Sequence, residues 1–200
     1  MAPPRLVLAS ASPARRRLLE QAGFAPDVIV SGVDEEACRI TDPGELVRAL
    51  AAAKARAVAA LVDGDALVIG CDSVLDVDGV VHGKPASIEE ARERLQRLRG
   101  RTAVLRTGHH LIAVATGAEA AATVATTVEF GDYDDAELEA YLLTGEPLEV
   151  AGAFTLDGYA APFVARIDGD ASNVIGLSLP MLRRLLREVG VEVRDLWVPR

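Results

Sequence analysis

The chain has 200 residues, half of them apolar, with a formal net charge of −9, two cysteines and no apolar run near the ~20 residues a membrane span needs. That length and apolar content suit one domain over residues 1–200 without disulfide staples. Cys38 and Cys71 are too few for a disulfide framework or a zinc site, so a reducing cytoplasm is the expected setting. The acidic balance argues against nucleic acid as the main partner, and any polyanionic ligand must meet a local cluster of positive charge.

Leu6 to Ala9 reads as a short buried strand that gives way to Ser10, Ser12 and Pro13. Ser12 as N-cap and Pro13 at the first helical position start a helix that ends near Gly23. A helix mouth of this kind offers free N–H groups to an anion, with Ser10 beside it and Arg15 one turn in; capped helices and surface arginines are also ordinary features of α/β proteins. An extended run from Asp27 to Val30 leads to Asp34, Glu35 and Glu36, either the acidic start of a loop or oxygen ligands for a hard divalent cation. Asp42, with Glu45 three residues on, caps an alanine-rich helix through about Leu61 that carries Lys54. Nineteen of the basic residues are arginines and two are lysines, Lys54 and Lys84. Both lysines could be plain surface, or points where a compact ammonium meets a phosphate oxygen.

Ala66 to Cys71 is apolar without alternation, a strand buried on both faces, and Asp72 follows it directly. A carboxylate at the C-terminal end of such a strand lies where open α/β sheets put their ligands, which makes Asp72 the leading candidate for chemistry. Val74 to Val81 reads as a hairpin turning at Asp78-Gly79, and it delivers Gly83-Lys84-Pro85 beside that strand. Gly79 to Lys84 is one residue short of a P-loop and has Pro85 in place of the Ser or Thr. Asp76 to Val80 and Gly131 to Asp135 imitate the two acidic motifs of haloacid-dehalogenase-like phosphatases, a rival reading with Asp76 as nucleophile. A helix over about Ser87–Arg99, rich in Glu–Arg pairs, reads as a solvated face. Two long strands, Thr102–Ala115 and Ala122–Glu129, turn near Gly117 and send His109 and His110 to opposite faces, so the two cannot share a metal. A helix over Asp134–Leu143, a strand through Arg166, a turn at Gly169-Asp170 and an amphipathic helix over Leu177–Val189 complete the chain.

Taken in order, Ser10-Ala-Ser12-Pro13-Ala-Arg15-Arg16, Val33-Asp34-Glu35, Lys54-Ala-Arg56, Gly70-Cys71-Asp72-Ser73, Gly83-Lys84-Pro85, Gly145-Glu146-Pro147, Ala151-Gly152-Ala153-Phe154 and Asn173-Val174-Ile175-Gly176-Leu177 resemble the Maf-like nucleoside triphosphate pyrophosphatases over nearly the whole chain. The resemblance implies an elongated, two-lobed α/β fold of the Maf and inosine-triphosphatase kind, with a central mixed β-sheet flanked by helices and a cleft between lobes. It implies hydrolysis of a nucleoside triphosphate to monophosphate and pyrophosphate with a divalent cation, Mg²⁺ or Mn²⁺. Asp72 matches the catalytic aspartate, as base or metal ligand. Ser10, Arg15, Lys54 and Lys84 match phosphate-binding positions, and Glu35, with Asp72, matches the metal side. Where the branch preferring dTTP and UTP has Arg, Thr and Gln near the base, this chain has Ala14, Ser73 and Asp157. The acidic residue at the last position resembles the branch acting on methylated GTP, a pattern that Ala14 does not complete. The partner implied is a small-molecule nucleotide, with neither nucleic acid nor membrane, and with room for a homodimer. Some relatives are linked to cell-division arrest, so a nucleotide-binding regulator without turnover is the third reading.

Overall fold

The computed structural model describes residues 4–198. Its strands are β1 (Arg5–Leu8), β2 (Asp27–Val28), β3 (Ala66–Val77), β4 (Val80–His82), β5 (Thr102–Ala113), β6 (Ala118–Phe130) and β7 (Val164–Asp168). Its α-helices are α1 (Pro13–Gln21), α2 (Pro43–Ala59), α3 (Ile88–Leu98), α4 (Asp135–Leu142), α5 (Ala171–Ile175) and α6 (Leu179–Glu188). The strands make one seven-stranded sheet in the order β2-β1-β3-β5-β6-β7, with β4 paired to β3. β1 runs parallel to β2 and β3, and the remaining pairs are antiparallel. This is a mixed α/β fold with a central sheet flanked by helices. None of its helices among the described residues is long and apolar enough to cross a membrane.

Local chemistry sets the helix starts. Ser12, Asp42, Ser87, Asp134 and Ser178 each accept the backbone N–H three residues on, which satisfies a donor the helix itself leaves unpaired. At Asp134 the cap is reciprocal, because Glu137 accepts from the Asp134 N–H. Asp78 and Gly79 both take positive φ, 53° and 84°, as a two-residue hairpin turn requires.

Among the strand boundaries that differ from the sequence reading, β6 begins at Ala118 rather than Ala122, and two others lie nearer the candidate site. β2 is two residues long rather than spanning Asp27–Val30. β3 does not stop before Asp72 but continues for 12 residues to Val77, because β5 pairs with it from Leu67 through Asp76. Asp72 is therefore inside a strand and not at its end. The open place that the sequence argument expected lies at the strand's edge. β1 covers that edge as far as Ile69 and β4 covers it again from Leu75, so no strand pairs with it between Cys71 and Val74.

The sheet carries apolar cores on both faces. One face holds two clusters, the first around Leu8, Ile69, Leu111, Leu182 and Leu185, the second around Leu75, Leu95, Leu105, Phe130 and Phe154. A polar seam of buried Thr107, His109, Thr126 and Asn173, with half-buried Ser73, separates them. The opposite face packs Val68 against Val58 of α2. α2 lies very close there, since a Cβ on Gly70 would overlap the Ala51 carbonyl oxygen and one on Gly108 would overlap that of Val47. Gly108→Ala is therefore expected to push α2 off the sheet and cost about 1–3 kcal/mol, the usual penalty for overpacking. A thermal melt matching the parent's would show that α2 needs no such approach.

Candidate active site

Lys54 falls in the buried stripe of α2 formed by Val47, Leu50, Ala51, Ala55 and Val58, a repeat of three and four residues that faces the sheet. The close seat of α2 delivers its ammonium to Asp72, with Nζ 2.6 Å from Asp72 Oδ1 and 2.7 Å from Glu35 Oε1. The Lys54 and Asp72 side chains are 7% and 8% exposed, whereas that of Glu35 is 55% exposed and reaches in from the loop after β2. Burial raises the Asp72 pKa above the usual carboxylate value, the charges of Lys54 and Arg15 pull it back, and Glu35 adds to the rise. The two acids thus lean on one ammonium at the uncovered edge of β3.

Ser73, the next residue, points to the other face of the sheet. Its Oγ accepts from Arg15 Nη2 at 3.0 Å and lies 2.9 Å from Thr107 Oγ1. Arg15 Nη1 donates to Ser10 Oγ at 3.1 Å and its Nε to the Gly176 carbonyl at 2.7 Å, so this buried guanidinium is held at three points. The Gly176 carbonyl is in place because Asn173, fully buried, ties α5 to the sheet. Its side-chain amide N–H groups donate to Leu105 O, Val124 O and Thr126 Oγ1, and its backbone carbonyl accepts from Thr107 Oγ1. Asn173, Thr107 and Gly176 had no assigned role in the sequence reading, although Asn173 and Gly176 sit in one of the segments that carry the resemblance.

The structure brings Ser10, Arg15 and Ser73 together on one face, and Glu35, Lys54 and Asp72 on the other. Arg15 is close enough for its charge to act on Asp72. Lys84 belongs to neither cluster. Its side chain is 63% exposed, and its ion pair among the described residues is with Glu149 at 4.0 Å. β4 runs antiparallel to β3, so the chain leaving His82 heads back along the open edge toward Asp72. Asp157 accepts from Thr155 Oγ1 at 2.6 Å and pairs with Arg17 at 3.1 Å. Ala14 lies one turn before Arg17 on α1, so these two positions meet the same stretch of helix.

Asp76, the nucleophile of the rival phosphatase reading, is committed to structure. It accepts from the Gly79 N–H at 2.9 Å and from Arg106 Nε at 3.0 Å, which closes the hairpin. A cavity of about 320 Å³ opens between that hairpin and α3, and neither Asp72 nor Lys54 lines it. Of the ion pairs around it, Arg97–Glu93 and Arg101–Asp78 are at least half exposed on every side chain, whereas Arg94, paired with Glu90, is buried. Among the described residues no three His, Cys, Asp or Glu side chains converge as a metal cage, which leaves Glu35 and Asp72 as the paired acids.

Two further titratable groups lie on the same face of the sheet as Ser73. Burial pushes the Cys71 thiol up to about 12, despite nearby Arg15 and Lys54, so it is not a nucleophile at neutral pH. His109, fully buried, accepts the Ser178 N–H on Nε2 at 2.8 Å, and burial with the Arg15 charge lowers its pKa to about 4. Between the ordinary value of 6.5 and about 4 the unfolded chain binds a proton that the folded one refuses. Stability is therefore expected to fall as pH drops through that window, by about 3 kcal/mol in full. Melts from pH 7.5 to 4.5 are expected to show this fall, with a shallower slope in His109→Gln; parallel slopes would remove His109 as its source. His110 faces the other way and meets Glu119 at 2.8 Å, so neither histidine joins the acid cluster.

A protein from Streptomyces coelicolor named nucleoside triphosphate pyrophosphatase is 59% identical over 196 residues, covering 98% of this chain and 95% of its own. One of the same name from Thermosynechococcus vestitus is 51% identical over 190 residues, covering 95% and 96%. Among solved structures, the Staphylococcus aureus Ham1 protein aligns over 64% of this chain and 72% of its own, at 18% identity and a TM-score of 0.40, too loose a match to bear on the fold. The family model described as Maf-like protein matches residues 5–189, a span that takes in both side-chain clusters. With that match over nearly all of its length, this chain belongs to the Maf-like protein family.

Proposed function

We propose that this protein hydrolyses a nucleoside triphosphate to its monophosphate and pyrophosphate, with water attacking the α-phosphorus. The observation that carries the reading is the buried Asp72 carboxylate paired with Lys54 and backed by Glu35 at the open edge of β3. The names of the relatives point the same way. Asp72 is suited to orient and deprotonate a water, since burial makes it a stronger base than a free carboxylate while Lys54 holds it in the charged form. An ammonium has three N–H donors; Lys54 donates to Asp72 and meets Glu35 as an ion pair, which leaves it a donor for a phosphate oxygen. Arg15 spends three of its five on Ser10, Ser73 and Gly176, leaving two. These fixed donors would meet the triphosphate's charge, with Ser10 and Lys84 as its further contacts.

Glu35 and Asp72 are two carboxylates on one ammonium, the number that a hard divalent cation takes when phosphates and water complete its shell. Mg²⁺ or Mn²⁺, when bound there, would polarise phosphoryl oxygens. Ala14, Ser73 and Asp157 are the proposed base-side positions, and their departure from the pyrimidine-preferring pattern favours a modified or non-standard nucleotide. The test is a panel of normal and modified nucleoside triphosphates with Mg²⁺ or Mn²⁺, scored for pyrophosphate. Pyrophosphate from at least one substrate is expected. Orthophosphate as the product would restore the phosphatase reading, and tight binding without turnover would favour a regulator.

A further inference from the structure

The Glu and Arg residues of α3 read from the sequence as a solvated face, and for one of them the structure differs. Arg94 is buried, its side chain 6% exposed, and it faces the loop that carries Lys84. Arg94 Nη1 donates to the Gly83 carbonyl at 2.6 Å, and Nη2 pairs with Glu90 Oε1 at 2.5 Å. The other oxygen of Glu90 accepts the Ala86 N–H at 2.8 Å. One ion pair between residues four apart on a helix therefore grips the chain on both sides of Lys84-Pro85. The Gly83 carbonyl also accepts the Gly152 N–H at 3.0 Å, which ties the loop to the Ala151-Gly152 segment. Lys84 itself has no such anchor, since its side chain is largely exposed and meets only Glu149 among its described ion pairs, at 4.0 Å.

We infer that Glu90 and Arg94 are positioning residues: they fix the backbone on either side of Lys84 so that its ammonium is presented to the phosphates of the substrate. This rests on the reading of Lys84 as a phosphate contact. A long, exposed lysine loses side-chain entropy when it docks on an anion, and a fixed backbone spares it the further cost of ordering the loop. Burying a guanidinium is costly, and spending all of that cost on a carbonyl and one carboxylate is hard to explain by helix stability alone. Arg94 also lines the cavity beside it, together with Val77, Val80 and Leu98.

The test uses Arg94→Met and Arg94→Lys, alone and combined with Lys84→Ala, with two readouts. By kinetics, Arg94→Met is expected to raise KM about tenfold with kcat changed less than about twofold, and Arg94→Lys, which can still reach the Gly83 carbonyl, to recover most of the loss. In a Lys84→Ala background Arg94→Met is expected to change KM by less than about twofold, because the group it positions is gone. By hydrogen exchange, the Ala86 amide in Arg94→Met is expected to exchange at least about tenfold faster while β3 amides keep their rates. A full KM effect that persists without Lys84, or unchanged exchange at Ala86, overturns the inference. Should the parent release no pyrophosphate from any nucleoside triphosphate, the proposed function fails, while the exchange measurement still decides whether the clamp holds the loop.

Discussion

Asp72→Asn is expected to fold like the parent and to lose about 10²–10⁴-fold in kcat, the contribution of a positioned general base. The two halves of that expectation have separate causes. Asn keeps the shape and the hydrogen-bonding carbonyl but cannot take a proton from water, so turnover falls. The fold survives because the ionised carboxylate gains nothing net from its surroundings. Its pKa is raised on folding, chiefly by burial. A carboxylate with a raised folded pKa costs stability at all pH above its unfolded value, and removing its charge relieves that cost. Lys54 keeps Glu35 as partner at 2.7 Å and is not stranded. Pyrophosphate release under saturating substrate gives kcat, and a thermal melt gives the control. Near-parental turnover would take Asp72 out of the mechanism, and a collapsed melt would mean the charge is structural.

Lys54→Met is the reverse case and is expected to hurt both properties. It leaves the Asp72 carboxylate, 8% exposed, without the ammonium 2.6 Å away that offsets its burial. Removing one member of a buried pair commonly costs about 3–5 kcal/mol because the other charge is stranded. In a chain of this size about 3 kcal/mol corresponds to a Tm lowered by roughly 6–12 °C. Losing Lys54 also removes the largest charge that lowers the Asp72 pKa, so Asp72 takes its proton at higher pH and the acid limb of kcat/KM moves to higher pH. The double variant Asp72→Asn/Lys54→Met is expected to regain most of the lost stability, since no buried charge is then left unpaired. Unchanged Tm in the single variant, or a double variant as unstable as the single, would show that the pair is not coupled as its geometry implies.

Much of this molecule is legible from local chemistry. Ser12-Pro13, Asp42-Pro43, Ser87 and Asp134 mark helix starts because each cap acts within three residues. Asp78-Gly79 marks its turn for the same reason. The end of β3 is not legible that way. Cys71-Asp72-Ser73 looks like a strand giving way to polar loop, but β5 lies 30 or more residues later in the chain, and only its pairing keeps the strand going through Asp72. Lys54 carried a usable signal, a lysine in the apolar stripe of an alanine-rich helix, though nothing local says which acids it meets. Arg94 carried the opposite signal, since Glu90 and Arg94 at helical spacing read as solvent-exposed. Its burial depends on a hairpin and a loop folding over it. Asn173 likewise acquires its place through three acceptors on β5 and β6, none of them near it in sequence.

In the proposed reaction water adds to the α-phosphorus beside Asp72. Hydrolysis of a turned-over nucleoside triphosphate in H₂¹⁸O, followed by mass spectrometry of both products, reads that bond directly. One ¹⁸O in the nucleoside monophosphate and none in pyrophosphate is the expected result, whereas label in pyrophosphate or in orthophosphate would contradict the account.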